Sequence, residues 1–331
     1  MTITSQTASR AHLHRAYATE PRTLRVVGVY RLTEEITHFC FAPDDPRDAL
    51  TPYQPGSHLI VSAGEYRNAY SLTGDGMFPT SYGISVLRRG GGRGSDWLHE
   101  NLSEGATVGI EGPRSMFAPV LDQRHALLVA GGIGITPILS HARAAVRDGR
   151  TADIVYSYRS GHAAHLDEIR ELGDRPGITV HECHGATDTV ALLSTVFGRQ
   201  PLGTHAYACG PAGLLDTYQR IAVDAGWPSA RVHLERFSAP EQDPGNPFTV
   251  RIASTRATIA VPSGVSLLEQ LLAKGVPVPN LCRQGVCGQC RIPVRAGTLE
   301  HRDFVLSDDE KAAGDVMLCC VSRGENIEVD L

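Results

Sequence analysis

Three regimes of hydrophobic and polar alternation follow one another along the chain. Over residues 23–120, short runs of period near two are separated by Gly and Pro: Leu24-Arg-Val-Val-Gly-Val, His58-Leu-Ile-Val-Ser and Tyr82-Gly-Ile-Ser-Val-Leu. Successive side chains of a strand point to opposite faces, so this spacing predicts antiparallel strands closing into a small barrel. At His125 the pattern changes. The unbroken apolar run Ala126-Leu-Leu-Val-Ala is followed by glycines, then by Ile138, Leu139, Ala142 and Val146 at helical spacing. Apolar runs recur at Ile154-Val-Tyr, Ile178-Thr-Val and Ala206-Tyr-Ala. With helical stretches between them, they predict a parallel sheet with crossover helices. Residues 238–247 hold three prolines and no periodicity, and read as a linker. Beyond it the pattern predicts strands near Phe248–Ile252 and Thr258–Val261, then a helix over 266–274. The expected organisation is a tail (1–20), a β-barrel (21–122), an α/β domain (123–237), a linker (238–247) and an α+β module (248–331).

Composition narrows the function. The 331 residues are 42% hydrophobic and 20% charged, a mix that supports folded cores. A net charge of −5 argues against a general nucleic-acid partner. Lys274 and Lys311 are the only lysines, so arginine, whose planar fork suits phosphate, carries nearly all the positive charge. The first 20 residues contain Arg10 and Arg15 but no apolar run, and no window reaches the length needed to cross a bilayer. A cytoplasmic protein is expected, in which clustered cysteines signal metal or redox chemistry rather than disulfides. Five of the eight cysteines fall in the last fifty residues.

Those five are arranged. Cys282-Arg-Gln-Gly-Val-Cys287-Gly-Gln-Cys290 has the C-x4-C-x2-C spacing of a plant-type [2Fe–2S] site, with a distant cysteine at 319 or 320. Three thiolates from one loop must converge on a small cluster, and Gly285 and Gly288 permit the tight turns. Zinc sites usually pair two shorter knuckles. If Cys319 and Cys320 lie on a strand, only one can face the cluster. Ser307-Asp-Asp-Glu310 has the look of an acidic docking patch but also matches a helix capping box, the favoured reading.

Ala130-Gly-Gly-Ile-Gly134-Ile-Thr-Pro137 follows a buried strand and opens a helix, so its glycines would let a dinucleotide pyrophosphate approach the helix N-terminus. Pro137 stands where the Rossmann fingerprint has its third glycine. Cys209-Gly210-Pro211 follows another buried strand of the same sheet, placing both turns on one rim. The pair Gly-Gly-x-Gly-x-x-Pro and Cys-Gly-Pro resembles the nucleotide domain of the ferredoxin–NADP reductase superfamily. With a plant-type ferredoxin at the C-terminus, the chain resembles the phthalate dioxygenase reductase family over residues 21–331.

That resemblance implies a flavin barrel, a nucleotide domain and a β-grasp ferredoxin module. It implies FMN rather than FAD, NADH rather than NADPH, a monomer, and a terminal oxygenase partner, of Rieske type in the first instance. In the family, flavin is bound through Arg-x-Tyr-Ser. This chain has Arg67-Asn68-Ala-Tyr70-Ser71, with one extra residue, so Asn68 is an alternative to Arg67 at the phosphate. Tyr70 would pack on the ring and Ser71 would hydrogen-bond near N5. Val86, Arg88, Arg93, Gly94 and Ser95 complete the expected flavin site, with a helix over 96–102. Gly132, Gly134, Ile135, Thr136, Pro137, Cys209, Gly210 and Pro211 form the expected nicotinamide side, and Arg159 the 2′ end of the nucleotide. The resemblance places the aromatic Phe237 near the flavin face and makes Cys320 the fourth iron ligand beside Cys282, Cys287 and Cys290. Hydride would pass from nicotinamide to flavin, and single electrons onward to the cluster. The rival readings are an FAD-containing ferredoxin-fused reductase and a redox-sensing protein.

Overall fold

A computed structural model describes residues 21–91, 94–240 and 242–331. The tail (1–20), Gly92, Arg93 and Glu241 lie outside the described residues, and with them the expected role of Arg93. The chain divides into two compact units, the first ending at Glu235 and the second beginning at Arg236.

The first unit opens with six strands, β1 (Arg22–Arg31), β2 (Ile36–Ala42), β3 (Ser57–Ala63), β4 (Tyr66–Ser71), β5 (Tyr82–Leu87) and β6 (Thr107–Ser115), and a helix, α1 (Gly94–Asn101). They pair antiparallel in the order β4-β3-β6-β1-β2-β5. The sheet curls into a half-barrel whose outer strands meet at one bridge, Leu72 to Ile84. Alternation drives the curl. Leu24 and Val26 of β1, Phe39 and Phe41 of β2, and Leu59 and Val61 of β3 all face a common core.

The parallel sheet follows: β7 (His125–Gly131), β8 (Thr151–Tyr158), β9 (Ile178–His184), β10 (His205–Cys209) and β11 (Val232–Glu235). Its order, β11-β10-β7-β8-β9, puts β7 at the centre. Helices α2 (Ile135–Arg147), α3 (Leu166–Gly173), α4 (Ala186–Phe197) and α5 (Ala212–Asp224) make the crossovers. Residues Leu127 to Ala130 are all solvent-free, as a strand covered on both faces requires.

The second unit is a five-stranded mixed sheet, order β13-β12-β16-β14-β15. Its strands are β12 (Phe248–Ile252), β13 (Thr258–Val261), β14 (Arg291–Glu300), β15 (Val316–Leu318) and β16 (Arg323–Val329). Helix α6 (Leu267–Ala273) buries Leu267, Leu268 and Leu271 against it. Helix α7 (Asp308–Ala313) starts with the capping box expected at Ser307: its hydroxyl accepts from Glu310 N at 3.2 Å, and Glu310 Oε2 accepts from Ser307 N at 2.9 Å. Among the described residues, no helix is long and apolar enough to cross a membrane.

Candidate functional site

The parallel sheet ends in two turns packed against each other. A 3-10 turn, Gly132–Gly134, joins β7 to α2, whose N-cap, Gly134, gives no side-chain hydrogen bond. A Cβ on Gly134 would lie 2.2 Å from Cys209 O and 2.7 Å from Gly210 N. Glycine is therefore required at 134 by the neighbouring Cys-Gly-Pro turn. Gly132 is different: its φ is +52°, and nothing lies within 4 Å of where a Cβ would project. It is the position where the turn opens outward at the N-terminal end of α2. Ile135, Thr136 and Pro137 are buried in the first turn of α2, with Thr136 Oγ1 donating to Ile133 O at 3.0 Å. Pro211 caps α5 in extended conformation.

At the carboxyl end of β10, the Cys209 thiol is wholly buried, and burial, helped by Glu235, pushes its pKa well above the usual thiol value. Glu235 is its register partner on β11. The Glu235 carboxyl accepts a hydrogen bond from the Ser71 hydroxyl, yet burial dominates and lifts its pKa to about 8. Its Oε2 is solvent-free and without a hydrogen-bond partner. Ser71 is the last residue of β4, so the end of a flavin-type strand and the ends of two nucleotide-sheet strands meet at one carboxyl group. Sequence reasoning passed over Glu235. The available signal was an acid closing the short run Val232-His-Leu, where a surface residue would not be shielded on both sides.

The one-residue insertion in Arg67-Asn-Ala-Tyr70 has a visible consequence. Residues 66, 68 and 70 share one face of β4, and 67, 69 and 71 the other. Asn68 Nδ2 donates to Tyr70 OH at 3.3 Å and lies where a Cβ on Gly94 would project, at the start of α1. Arg67 is turned to the other face and ion-paired with Glu111, so of the two it is Asn68 that lies at the start of α1. Arg88 is likewise engaged along α1, 3.6 Å from Asp96 and 2.5 Å from Glu100. Ser95 is half-buried in the first turn of α1, and Val86 is buried in β5. Arg159 follows the end of β8 and is exposed. Beside it a cavity of 430 Å³ is lined by Tyr158, Ser160, Arg170, Glu182 and His184. Phe237, the expected flavin-facing aromatic, is half-buried and belongs to the second unit.

In the second unit the cysteine loop wraps through left-handed backbone at Arg283 (φ +55°), Gly285 (+73°) and Gly288 (+70°). Its thiols come in two groups. Cys282 sits with Cys287, whose sulfur accepts from Cys282 N at 3.5 Å, and Gln284 N donates to the Cys282 sulfur at 3.3 Å. Cys290 sits with Cys319 and Cys320. Thiol hydrogen bonds hold Cys282 and Cys290 below the usual thiol range. Among the described residues, no three His, Cys, Asp or Glu side chains gather around a single ion site. Two thiol groups flanking a gap suit a dinuclear cluster, and the N–H donors suit its anionic sulfurs, so the residues fit a [2Fe–2S] group.

Cys319 and Cys320 lie outside the strands. They form the turn after β15, with Ser322 N donating to Leu318 O at 3.0 Å, so strand alternation does not separate them. Their contacts do. The Cys319 thiol donates to Cys290 O at 3.2 Å, and its own carbonyl accepts from Leu268 N at 2.9 Å, tying it into the core. Cys320 interacts with the Cys290 thiol, with Cys282 and with the Gly285 N–H.

Comparison with known proteins accords with this geometry. A family profile described as a 2Fe-2S iron-sulfur cluster binding domain matches residues 250–324. Another, the N-terminal domain of dimethylamine monooxygenase subunit DmmA-like proteins, matches residues 113–232. The chain is 40% identical to the heme-dependent oxidative N-demethylase beta subunit of Ectopseudomonas mendocina, over 91% of this chain and 95% of that one. It is 35% identical to the phthalate dioxygenase reductase of Burkholderia cepacia, over 93% and 96%. The solved structure of a phthalate dioxygenase reductase, described as modular for electron transfer from pyridine nucleotides to [2Fe-2S], matches with a TM-score of 0.72 at 34% identity, covering 94% of this chain and 98% of that one. With a half-barrel, a parallel sheet and a cysteine-loop module in that order, the chain belongs to the phthalate dioxygenase reductase family, flavin and iron–sulfur oxidoreductases that serve as reductase components of multicomponent oxygenases.

Proposed function

We propose that the chain is the NADH-dependent reductase component of a terminal oxygenase or demethylase. In this reading residues 21–122 hold FMN, 123–237 hold the nicotinamide nucleotide, 238–247 link, and 248–331 hold the cluster on Cys282, Cys287, Cys290 and Cys320. The observation that carries it is the convergence of Ser71, Cys209 and Glu235 in a chain that also bears the cysteine loop and the Cys319–Cys320 turn. A flavin accepts two electrons as hydride and releases them one at a time, the conversion a one-electron cluster requires. The protein's own residues bind and orient. Gly132 and the N-terminus of α2 receive pyrophosphate, and Cys209 and Thr136 line the nicotinamide pocket. Ser71, held by Glu235, presents its hydroxyl near the flavin N5.

FMN is favoured over FAD because Asn68, Gly94 and Ser95 at the start of α1 make a cradle suited to one terminal phosphate. NADH is favoured over NADPH. That preference is the one the resemblance to the phthalate dioxygenase reductase family implies. The protein acts as a cytoplasmic monomer.

A Rieske non-haem iron oxygenase is the first acceptor to test. A second reading, a haem-dependent amine demethylase, is favoured by the 40% identity to a heme-dependent N-demethylase subunit and by the dimethylamine monooxygenase profile. NADH should bleach the flavin and support cytochrome c reduction, whereas Cys282→Ser should keep flavin bleaching and lose cytochrome c reduction. Survival of both activities would overturn the order of the relay. The mass of the extracted flavin separates FMN from FAD. NADH-dependent product formation with each candidate oxygenase from the same source separates the acceptors.

A further inference from the structure

Three side chains on one face of α2, at positions i, i+3 and i+7, reach the same short segment. Ser140 Oγ donates to Gly74 O at 2.5 Å, Arg143 Nη1 to Thr73 O at 2.8 Å, and Arg147 Nη1 to Asp75 O at 2.6 Å. That segment leaves β4 two residues after Ser71. The helix that makes these contacts begins at Ile135, on the nicotinamide turn. Arg143 is shared further. Its Nη2 pairs with Glu168, whose Oε1 lies 2.5 Å from His165 Nδ1. His165 Nε2 lies 2.6 Å from Ser85 Oγ, which is 2.9 Å from His38 Nδ1. Ser85 and His165 are buried, so this Ser-His-Glu chain, although it has the order of a hydrolase triad, is closed to any substrate. It returns to the same place: Ser85 adjoins Val86 on β5, and Thr73 N donates to Gly83 O at 3.0 Å on that strand.

We propose that Arg143 is a positioning residue for hydride transfer, clamping the exit of the flavin strand onto the helix that carries the nicotinamide turn. The inference rests on the reductase reading above and adds to it the part of the chain that sets the separation of the two reacting groups. Its guanidinium is suited to the task because one planar fork bonds a backbone carbonyl and a carboxylate at once. Without it, the half-barrel and the parallel sheet keep their own pairings but lose the central one of the three ties that set their separation. Misplacement of reacting groups by about 1 Å costs on the order of a hundredfold in rate.

The test uses the full-length holoprotein with Arg143→Met, Arg143→Lys and Ser140→Ala. Arg143→Met should slow NADH reduction of the bound flavin by tenfold or more, on the order expected for such a displacement. The KM for NADH and the flavin content should hold within about twofold of wild type. Arg143→Lys, which can reach Thr73 O but not both partners, should recover part of the rate. A second readout is independent of turnover: amide hydrogen exchange at residues 73–76 should quicken in Arg143→Met while β7 and β8 stay protected. If Arg143→Met does not fold, Ser140→Ala carries the test, with a smaller change of the same sign in both readouts. A wild-type rate of flavin reduction in Arg143→Met would overturn the proposal, whatever the exchange shows. If the wild-type protein does not oxidise NADH, yet Arg143→Met exposes the 73–76 amides, the clamp stands and the reductase reading falls.

Discussion

Glu235 holds a carboxyl group whose second oxygen touches neither solvent nor a donor, and burial lifts its pKa from 4.5 to about 8. The folded protein therefore keeps a proton there that the unfolded chain gives up. The associated stability is complete below about pH 4.5 and is lost as pH rises through about 8. The melting temperature of wild type relative to Glu235→Gln should fall across that window, because an amide cannot titrate. The adjacent Cys209 thiol, driven up by burial, stays protonated throughout and does not confound the reading. Equal slopes in the two proteins would assign the pH dependence elsewhere. The adjacent cysteines separate in the same manner. Cys320→Ser should abolish the visible absorption of the cluster, whereas Cys319→Ser, at a thiol already bonded to Cys290 O, should retain it.

At the scale of elements, the cysteine loop is held in shape by backbone that only glycine adopts freely. A Cβ on Gly285 would stand 2.7 Å from Val321 Cγ2 and 3.2 Å from Asp303 Cα, at φ +73°. Gly285→Ala should cost about 1–2 kcal/mol from the left-handed backbone alone, with the crowding added, and should lower the iron content of purified protein. Gly288 meets one side-chain atom at 3.2 Å, so Gly288→Ala should be milder. Helix α7 offers a cleaner measurement. Removing the Ser307 hydroxyl takes away one half of the capping box, and Ser307→Ala should destabilise the second unit by about 1 kcal/mol in denaturant titration. No loss would mean that the cap is replaced by solvent.

Taken whole, the molecule is two compact units, each with a core of its own. Within the first, the half-barrel and the parallel sheet are cross-connected by Arg143, Ser140 and Arg147, so they should unfold together. The second should unfold separately. Calorimetry of the full chain should resolve two transitions, and residues 236–331 expressed alone should take up iron and sulfide and show cluster absorption. A single transition that shifts as a unit in Gly285→Ala would contradict this division.

The order of modules was legible in the chain because it depends on local periods. Alternation near two marks β1, β3 and β5, apolar runs mark β7 to β10, and the spacing of Cys282, Cys287 and Cys290 is a property of one loop. The Ser307 capping box could also be read directly, being confined to one turn. What tertiary structure alone decided lies where distant segments meet. Asn68 rather than Arg67 faces α1 because one inserted residue reverses the phase of β4. Cys319 and Cys320 are told apart by what surrounds a turn, not by a strand. Gly134 is glycine because Cys209, seventy-five positions away in the chain, presses its carbonyl there. Glu235 and Arg143 resemble ordinary surface charges in the sequence. Only folding puts one into a dry junction and the other across two sheets, and burial and distance are quantities that no local pattern contains.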